Sequence, residues 1–226
     1  MSFYYFLNQE NEFPDPQQAD EQGILCIGGD LSLERLKLAY QLGIFPWYNE
    51  GEPIIWWSLN PRFVLFPEEL KVAKSMRSYF NNNKFKVTYN KAFKEVIAAC
   101  KRINRKGQFG TWITNEMEAA YINLHQNGIA HSVEVWRKDQ LVGGLYGVAT
   151  GKIFSGESMF SLESNASKFG FISLVRLLQE KEFMLIDCQQ ETAHLGTLGA
   201  KPISRNEFLD ILKTNRQWNM DFQLEL

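Results

Sequence analysis

Three apolar segments in the second half of the chain constrain its fold more than any other feature. They cover residues 131–137, 141–149 and 152–159 and are separated by only two or three residues. The first segment alternates valine with serine and glutamate, which is typical of a strand buried on one face. Strands joined by such short turns pair as antiparallel neighbours. We therefore predict a three-stranded antiparallel meander.

A long helix and a further strand follow the meander. The apolar spacing predicts a helix over residues 165–183 and a strand over residues 184–189. Helices are also predicted at three earlier positions and at the end of the chain, namely over 71–79, 90–101 (capped by Asn90), 115–126 (capped by Thr114) and from Ser204 onward. This order predicts an α+β layer architecture. Its strand–helix–strand part resembles the acetyltransferase-like (GNAT-like) folds, in which helices flank a mixed sheet.

The N-terminal part of the chain differs in character from the rest. A short apolar strand at 25–28 precedes a helix over 33–42, which Asp30 or Ser32 caps. An aromatic, turn-rich stretch then leads to a proline-containing break. We therefore predict a small N-terminal domain over residues 1–62 and an acetyltransferase-like catalytic domain over residues 63–226.

Polar side chains interrupt two of the predicted strands. Glu157 lies in one of them, and Asp187 and Gln189 lie in another. A carboxylate or amide is costly to bury unless it is paired or used. Residues two apart on a strand share a face, so we expect Asp187 and Gln189 to project together. Each of these groups alone is equally well explained as a buried polar side chain whose hydrogen bonds are satisfied within the core. Three such groups that converge predict a functional site.

The composition excludes several classes of protein. Apolar residues make up 45% and charged residues 22% of the chain, as in ordinary globular proteins. No apolar run is long enough to span a bilayer, and the first residues lack the pattern of a signal peptide. The three cysteines have no metal-type spacing, so we expect neither a disulfide framework nor a metal site. We expect a cytoplasmic protein without a membrane partner.

Charge is distributed unevenly along the chain. Residues 71–106 carry eleven basic residues and one acidic residue, whereas residues 1–70 carry three basic and eleven acidic residues. A segment with a net charge of +10 in a chain with a net charge of −2 indicates a binding surface for a polyanion. A solvated, lysine-rich helical surface explains the same pattern equally well, and charge alone does not identify the polyanion.

At this point the residues match a known family. Motifs spread over roughly residues 23–212 occur in the order found in that family. The matching elements are GGDLS (28–32), GIFPWY (43–48), WWS (56–58), TWIT (111–114), AY..LH (120–125), AHSVEVW (130–136), LVGGLYG (141–147), GESMFS (156–161), NASK (165–168), LIDCQ (185–189) and HL..LGA (194–200). The chain resembles the bacterial leucyl/phenylalanyl-tRNA–protein transferases. It departs from the family's pattern at Leu59 and at Phe169-Gly170-Phe171, and the second departure bears on the preference for an amino-acid side chain.

The resemblance implies an aminoacyltransferase. Leucine or phenylalanine, with methionine as a further candidate, would move from aminoacyl-tRNA to the N-terminal α-amine of a protein that begins with Lys or Arg. The product would be marked for degradation by the N-end rule pathway. The resemblance implies no ATP, metal or CoA, and we expect a monomer.

The resemblance also implies roles for individual residues. Asp187, Gln189 and Glu157 would be catalytic, although it stays open which acid is the base and which binds the acceptor cation. The aminoacyl side chain needs an apolar pocket, for which five residues are candidates: Met159, Phe154, Leu145, Phe171 and Ile186. A place in the ordinary core explains each of them better when it is taken alone, and the resemblance supports Met159 and Ile186 in particular. Trp47 and Trp112 would stack on the 3′-terminal adenosine of the tRNA. Lys71, Lys74 and Arg77 would contact tRNA phosphates. His131, His194 and Cys188 are expected to have structural roles.

Two alternatives belong to other classes of protein. A non-catalytic tRNA- or peptide-binding module would keep the basic segment and the pocket but would lose the acidic pair, which this chain retains. A small-molecule N-acetyltransferase would hold the cofactor pyrophosphate in a glycine-containing loop before the central helix. The corresponding residues 161–168 contain no glycine, which argues against a CoA enzyme.

Overall fold

The computed structural model describes residues 5–103 and 112–217. Within these ranges the chain forms eleven strands and seven α-helices. The strands are β1 (Tyr5–Leu7), β2 (Ile24–Gly28), β3 (Phe45–Pro46), β4 (Ile55–Trp57), β5 (Arg62–Leu65), β6 (Lys86–Tyr89), β7 (Ala130–Arg137), β8 (Gln140–Thr150), β9 (Ile153–Ser161), β10 (Leu185–Gln189) and β11 (Lys201–Ile203). The α-helices are α1 (Leu33–Gln41), α2 (Lys74–Asn81), α3 (Phe93–Arg102), α4 (Asn115–Gln126), α5 (Ala166–Glu180), α6 (Ala193–Gly196) and α7 (Arg205–Asn215).

The strands form two sheets. The smaller one has the order β1-β2-β4-β3, and the larger one has the order β11-β5-β10-β9-β8-β7-β6. Strands β7, β8 and β9 are antiparallel neighbours, so the predicted meander is confirmed. Strand β10 pairs with β9 in parallel and with β5 in the antiparallel sense, which makes the larger sheet mixed. The predicted α+β class, with a mixed sheet and flanking helices, is confirmed.

Helices cover both faces of the larger sheet. Helix α5 packs on one face, and Met76 of α2 joins the same core cluster. Helices α1, α3 and α4 pack on the other face in a second core cluster, which also contains Trp56 of the smaller sheet. The smaller sheet thus shares its core with these helices. The predicted division after residue 62 stays a prediction, and Arg62 itself is the first residue of β5.

Side-chain caps set several of the helix starts as the sequence predicts. The hydroxyl oxygens of Ser32, Thr114 and Ser204 accept hydrogen bonds from backbone N–H groups three residues later, at 3.4, 3.1 and 3.1 Å. These bonds satisfy donors that the first turn of a helix leaves without partners. Ser32, and not Asp30, is therefore the cap of α1.

Three of the predicted helices have wrong bounds. Helix α2 begins at Lys74, because the Lys71 backbone N–H bonds instead to the carbonyl of Leu198. Helix α3 begins at Phe93, because Asn90 has a positive φ of 57° and its side-chain oxygen accepts from the Ser132 N–H. Helix α5 covers 166–180 and not 165–183.

Candidate functional site

The site lies where two parallel strands stop pairing. Strands β9 and β10 run side by side up to the pair Asp187–Ser155, which is the last of their register. Immediately beyond it each strand has an irregularity. On β9, Glu157 is an extra residue between two successive pairs with β8, and on β10 the register with β5 shifts at Cys188. Such bulges redirect side chains. Here both strands have one just after the point where their pairing ends.

The bulge at Glu157 explains how the apolar side chains come together. Phe154 and Met159 are five residues apart, so regular alternation would put them on opposite faces. The extra residue between them restores a common face. Phe154 belongs to the same core cluster as Leu145 and Ile186, and Met159 packs against that cluster. One irregular residue therefore supplies a polar group and also lets the strand extend its apolar surface.

A cavity of about 440 Å³ opens at this position. The structure brings nine of the predicted site residues to its wall. They are Met159, Phe154, Leu145, Phe171, Ile186, Trp47, Trp112, Glu157 and Gln189. Most of the lining is apolar, and Glu157 and Gln189 are among its polar residues. The roles assigned to these residues stay predictions.

Glu157 is held by two hydrogen bonds inside the cavity. Its Oε1 accepts from Gln189 Nε2 at 2.8 Å, and its Oε2 accepts from the Tyr121 hydroxyl at 3.0 Å. The hydroxyl of Tyr40 in turn hydrogen-bonds to that of Tyr121. Desolvation by burial raises the pKa of Glu157 to about 7, and the negative charge of Asp187 acts in the same direction. The carboxyl group therefore exchanges its proton near neutral pH.

Asp187 occupies a different environment from Gln189. Its oxygens accept from Arg62 Nε at 2.7 Å and from Arg62 Nη2 at 2.6 Å, and both side chains are at most 2% exposed. Its Oδ1 also accepts the Gln189 backbone N–H at 2.9 Å. Gln189 has a positive φ of 61° and its side chain reaches the cavity, whereas Asp187 is not part of the cavity wall. The expectation that the two side chains project together is wrong, because the bulge interrupts the alternation.

Arg62 is a residue that the sequence reasoning missed. Its guanidinium lies 4.7 Å from the ring centres of both Phe45 and Phe208. A buried ion pair in which each charge also has other contacts is strongly oriented. The only sequence signal for it is a charged residue that opens an otherwise apolar strand. Tyr40 and Tyr121 were missed as well, because their helical spacing is that of ordinary core residues.

The predicted phosphate contacts lie outside the cavity wall. Lys71, Lys74 and Arg77 are exposed. Helix α2 is anchored to α5 by the stacked rings of Phe80 and Phe169, whose centres are 4.0 Å apart. Of the basic segment, Arg105 and Lys106 lie outside the described residues.

In residues 5–103 and 112–217 no group of three or more His, Cys, Asp or Glu side chains is arranged to hold a metal ion. Within the same ranges no helix has the length and apolar character required to cross a bilayer. Cys188 lines the cavity, but desolvation raises the pKa of its thiol well above the usual range, which disfavours the nucleophilic thiolate.

Comparison with known proteins identifies relatives over nearly the whole chain. Residues 64–213 match the family model for leucyl/phenylalanyl-tRNA protein transferase, and residues 29–60 match the model for the N-terminal domain of that protein. The leucyl/phenylalanyl-tRNA–protein transferase of Flavobacterium johnsoniae is 58% identical over 210 residues, which are 93% of this chain and 99% of the relative. The protein of the same name from Christiangramia forsetii is 58% identical and covers 92% of this chain and 99% of its own.

A distant solved structure is also similar in outline. A GCN5-related N-acetyltransferase from Kribbella flavida matches 74% of this chain and 59% of its own, with a TM-score of 0.33 and 9% identity. A likeness of this size says nothing about activity. The family models and the two relatives are sufficient by themselves: the chain belongs to the leucyl/phenylalanyl-tRNA–protein transferase family.

Proposed function

We propose that this transferase moves leucine or phenylalanine from aminoacyl-tRNA to the N-terminal α-amine of proteins that begin with Lys or Arg. The observation that carries the proposal is the hydrogen bond between Glu157 and Gln189 in the wall of a mostly apolar cavity of about 440 Å³. An apolar cavity with a few converging polar groups suits a ligand that has one apolar and one reactive end. An amino acid attached through its carboxyl group is such a ligand.

The apolar wall would receive the amino-acid side chain. Met159 is partly exposed within the wall and can adapt to leucine, phenylalanine or methionine, because a thioether chain is flexible and polarisable. Trp47 and Trp112 are also partly exposed at the cavity. A base stacked on such a ring contributes about 1–3 kcal/mol, so these two residues would hold the terminal adenosine.

The chemistry requires one new bond and one broken bond. The amine nitrogen attacks the ester carbonyl carbon, the C–N bond forms, and the bond from that carbon to the ribose oxygen breaks. The Glu157 carboxylate takes the surplus proton from the attacking amine and then passes it to the departing ribose oxygen, which leaves as a hydroxyl group. The ester is already activated, so no cofactor is needed and positioning supplies most of the rate. A pKa of about 7 suits Glu157 to take this proton.

The two acids can now be given different roles. Glu157 would meet the acceptor, because it is the one acidic side chain among the described residues that line the cavity. Its negative charge would also favour an N-terminal residue with a cationic side chain. Asp187 would act as a positioning residue, since its carboxylate bonds to Arg62 and to the Gln189 backbone. The protein would work as a cytoplasmic monomer and mark its substrates for N-end rule degradation.

A transfer assay with three peptides tests the proposal. Leucyl-tRNA labelled in the amino acid is incubated with peptides that differ only in beginning with Arg, Lys or Ala. We expect rapid labelling of the Arg and Lys peptides and at least about tenfold slower labelling of the Ala peptide, the scale of one charge-assisted contact. Equal rates with all three would contradict the acceptor specificity, and no labelling of any peptide would contradict the activity.

The tRNA contacts make a separate prediction. Replacing Lys74 and Arg77 together by alanine removes two exposed charges from α2. Each lost phosphate contact should flatten the dependence of log K on log salt by about 0.7–0.9. Charged tRNAs should therefore all bind more weakly to this variant, whereas a short aminoacyl-adenosine analogue should bind as before. Trp112→Ala is the matched opposite case: it should weaken the short analogue and leave the salt slope unchanged. If the double variant also bound the short analogue more weakly, the assignment of these two residues to tRNA phosphates would be contradicted.

A further inference from the structure

The glycines of strands β8 and β9 at the cavity differ in whether the packing of the fold leaves room for a side chain. Gly143, Gly144 and Gly147 of β8 have no room for a side chain. A Cβ atom on them would come within 2.7, 2.7 and 2.3 Å of atoms of other residues, two of which are backbone carbonyl oxygens. Packing of this chain therefore requires glycine at all three positions.

Gly156 of β9 is a different case. Its φ lies outside the positive range, so its backbone conformation is open to other residues. A Cβ built on it would have a single described atom within 4 Å apart from its own chain neighbours, the carbonyl oxygen of Asp187 at 3.8 Å. That distance is an ordinary van der Waals contact. Nothing in the described fold requires glycine at position 156.

The free space over Gly156 belongs to the cavity. Gly156 lines the cavity and pairs across the strands with Gly147, so the two residues present the same face. The ring of Phe154 occupies that face at Gly147, where a Cβ would lie 2.6 Å from two of its carbon atoms. The two glycines therefore form a flat backbone surface on this face of the sheet. The ring of Phe154 covers the surface at Gly147, whereas the surface at Gly156 is open.

The open surface at Gly156 lies between the apolar wall of the cavity and Glu157. Phe154 of the apolar wall is two residues before Gly156, and Glu157 with its bond to Gln189 comes directly after it. A bound aminoacyl group whose side chain enters the apolar wall must pass its α-carbon and carbonyl carbon between that wall and Glu157. Only a backbone without a side chain lets such atoms approach closely.

We propose that the space over Gly156 holds the α-carbon and ester carbonyl of the aminoacyl group, so that glycine here is required by the substrate and not by the fold. This inference rests on the proposed transfer of an aminoacyl group. It makes Gly156 a position that limits the bulk of the reacting centre. Leucine and phenylalanine share these backbone atoms, so the restriction acts on both alike.

The test compares Gly156→Ala with Gly196→Ala. Gly196 of α6 also has room for a methyl group, with a carbon of Phe63 at 4.0 Å as its nearest described contact, and it is not part of the cavity wall. Both variants should keep the unfolding midpoint of the wild type. Gly156→Ala should lower kcat/KM by about 10²-fold with leucyl-tRNA and with phenylalanyl-tRNA, the scale of a misplaced reacting atom. Gly196→Ala should keep wild-type rates.

Three results would overturn the inference. These are wild-type rates in Gly156→Ala, a clear loss of its stability, or a loss confined to phenylalanine, which would place the residue under the side chain. Titration with a leucyl-adenosine analogue that has an amide in place of the ester separates this claim from the proposed function. If the wild type binds the analogue and Gly156→Ala does not, the inference holds even if no transfer occurs. Equal binding by both contradicts it.

Discussion

Glu157→Gln will lower the turnover of aminoacyl transfer by about 10²-fold or more near neutral pH, the usual effect of losing a group that transfers a proton. The substitution keeps the size of the side chain and can keep the hydrogen bonds to Tyr121 and Gln189, which are 3.0 and 2.8 Å long. It removes the ability to take a proton and the negative charge. Affinity for charged tRNA should change little, because the residues proposed to contact phosphates lie outside the cavity wall.

Steady-state rates with leucyl-tRNA and an Arg-starting peptide measure this effect. Glu69→Gln is the matched control, since it makes the same chemical change in an exposed carboxylate that pairs with Lys201 at the surface. Surface pairs contribute about 0–1 kcal/mol, so the control should behave as the wild type. Normal turnover of Glu157→Gln would contradict a role of Glu157 in proton transfer. Only a role in packing would then remain for this residue.

Asp187→Ala will destabilise the folded protein by about 3–5 kcal/mol, the usual effect of breaking a buried ion pair from one side. The variant leaves Arg62 charged, 2% exposed and enclosed by two aromatic rings. It also removes the acceptor of the Gln189 backbone N–H. Turnover should fall as well, by about 10²-fold, because the bulge that directs Gln189 toward Glu157 loses its support.

Urea unfolding of three variants separates stability from positioning. Asp187→Ala and Arg62→Met should each lower the unfolding free energy, whereas the combination of Arg62→Met with Asp187→Leu should recover most of it, since apolar residues can replace a buried pair. The double variant should still transfer slowly, because its Gln189 N–H has no carboxylate acceptor. Normal stability of Asp187→Ala, or normal turnover of the double variant, would contradict these roles.

The regular part of the fold could be predicted from local sequence signals. Helix α4 begins and ends where Thr114 and the apolar spacing indicate, and the meander follows from short turns between apolar segments. The starts of α2 and α3 could not be predicted, because backbone bonds of Lys71 and side-chain bonds of Asn90 to distant residues decide them. At these two positions tertiary contacts override the local helix propensity.

Nine residues of the cavity wall could also be predicted, but the arrangement of the polar groups could not. Alternation counts residues along one strand, and a bulge is a property of two strands in register. The extra residue at Glu157 therefore has no signal in its own segment. The ion pair between Arg62 and Asp187 joins residues 125 positions apart, and a single sequence contains nothing that links them.

The most direct test of the central claim is the pH dependence of single-turnover leucine transfer to an Arg-starting peptide. Rates of the wild type and of Glu157→Gln, measured from about pH 5.5 to about pH 8.5, are divided by the fraction of neutral peptide amine, whose pKa is about 7.7–8.0. Burial raises the pKa of Glu157 to about 7, so the carboxyl group is protonated and inactive as a base below that pH. The corrected wild-type rate should therefore rise through pH 7 and then level off, and the variant should be slow and flat. Parallel corrected profiles in the two proteins would contradict the claim that Glu157 takes the proton.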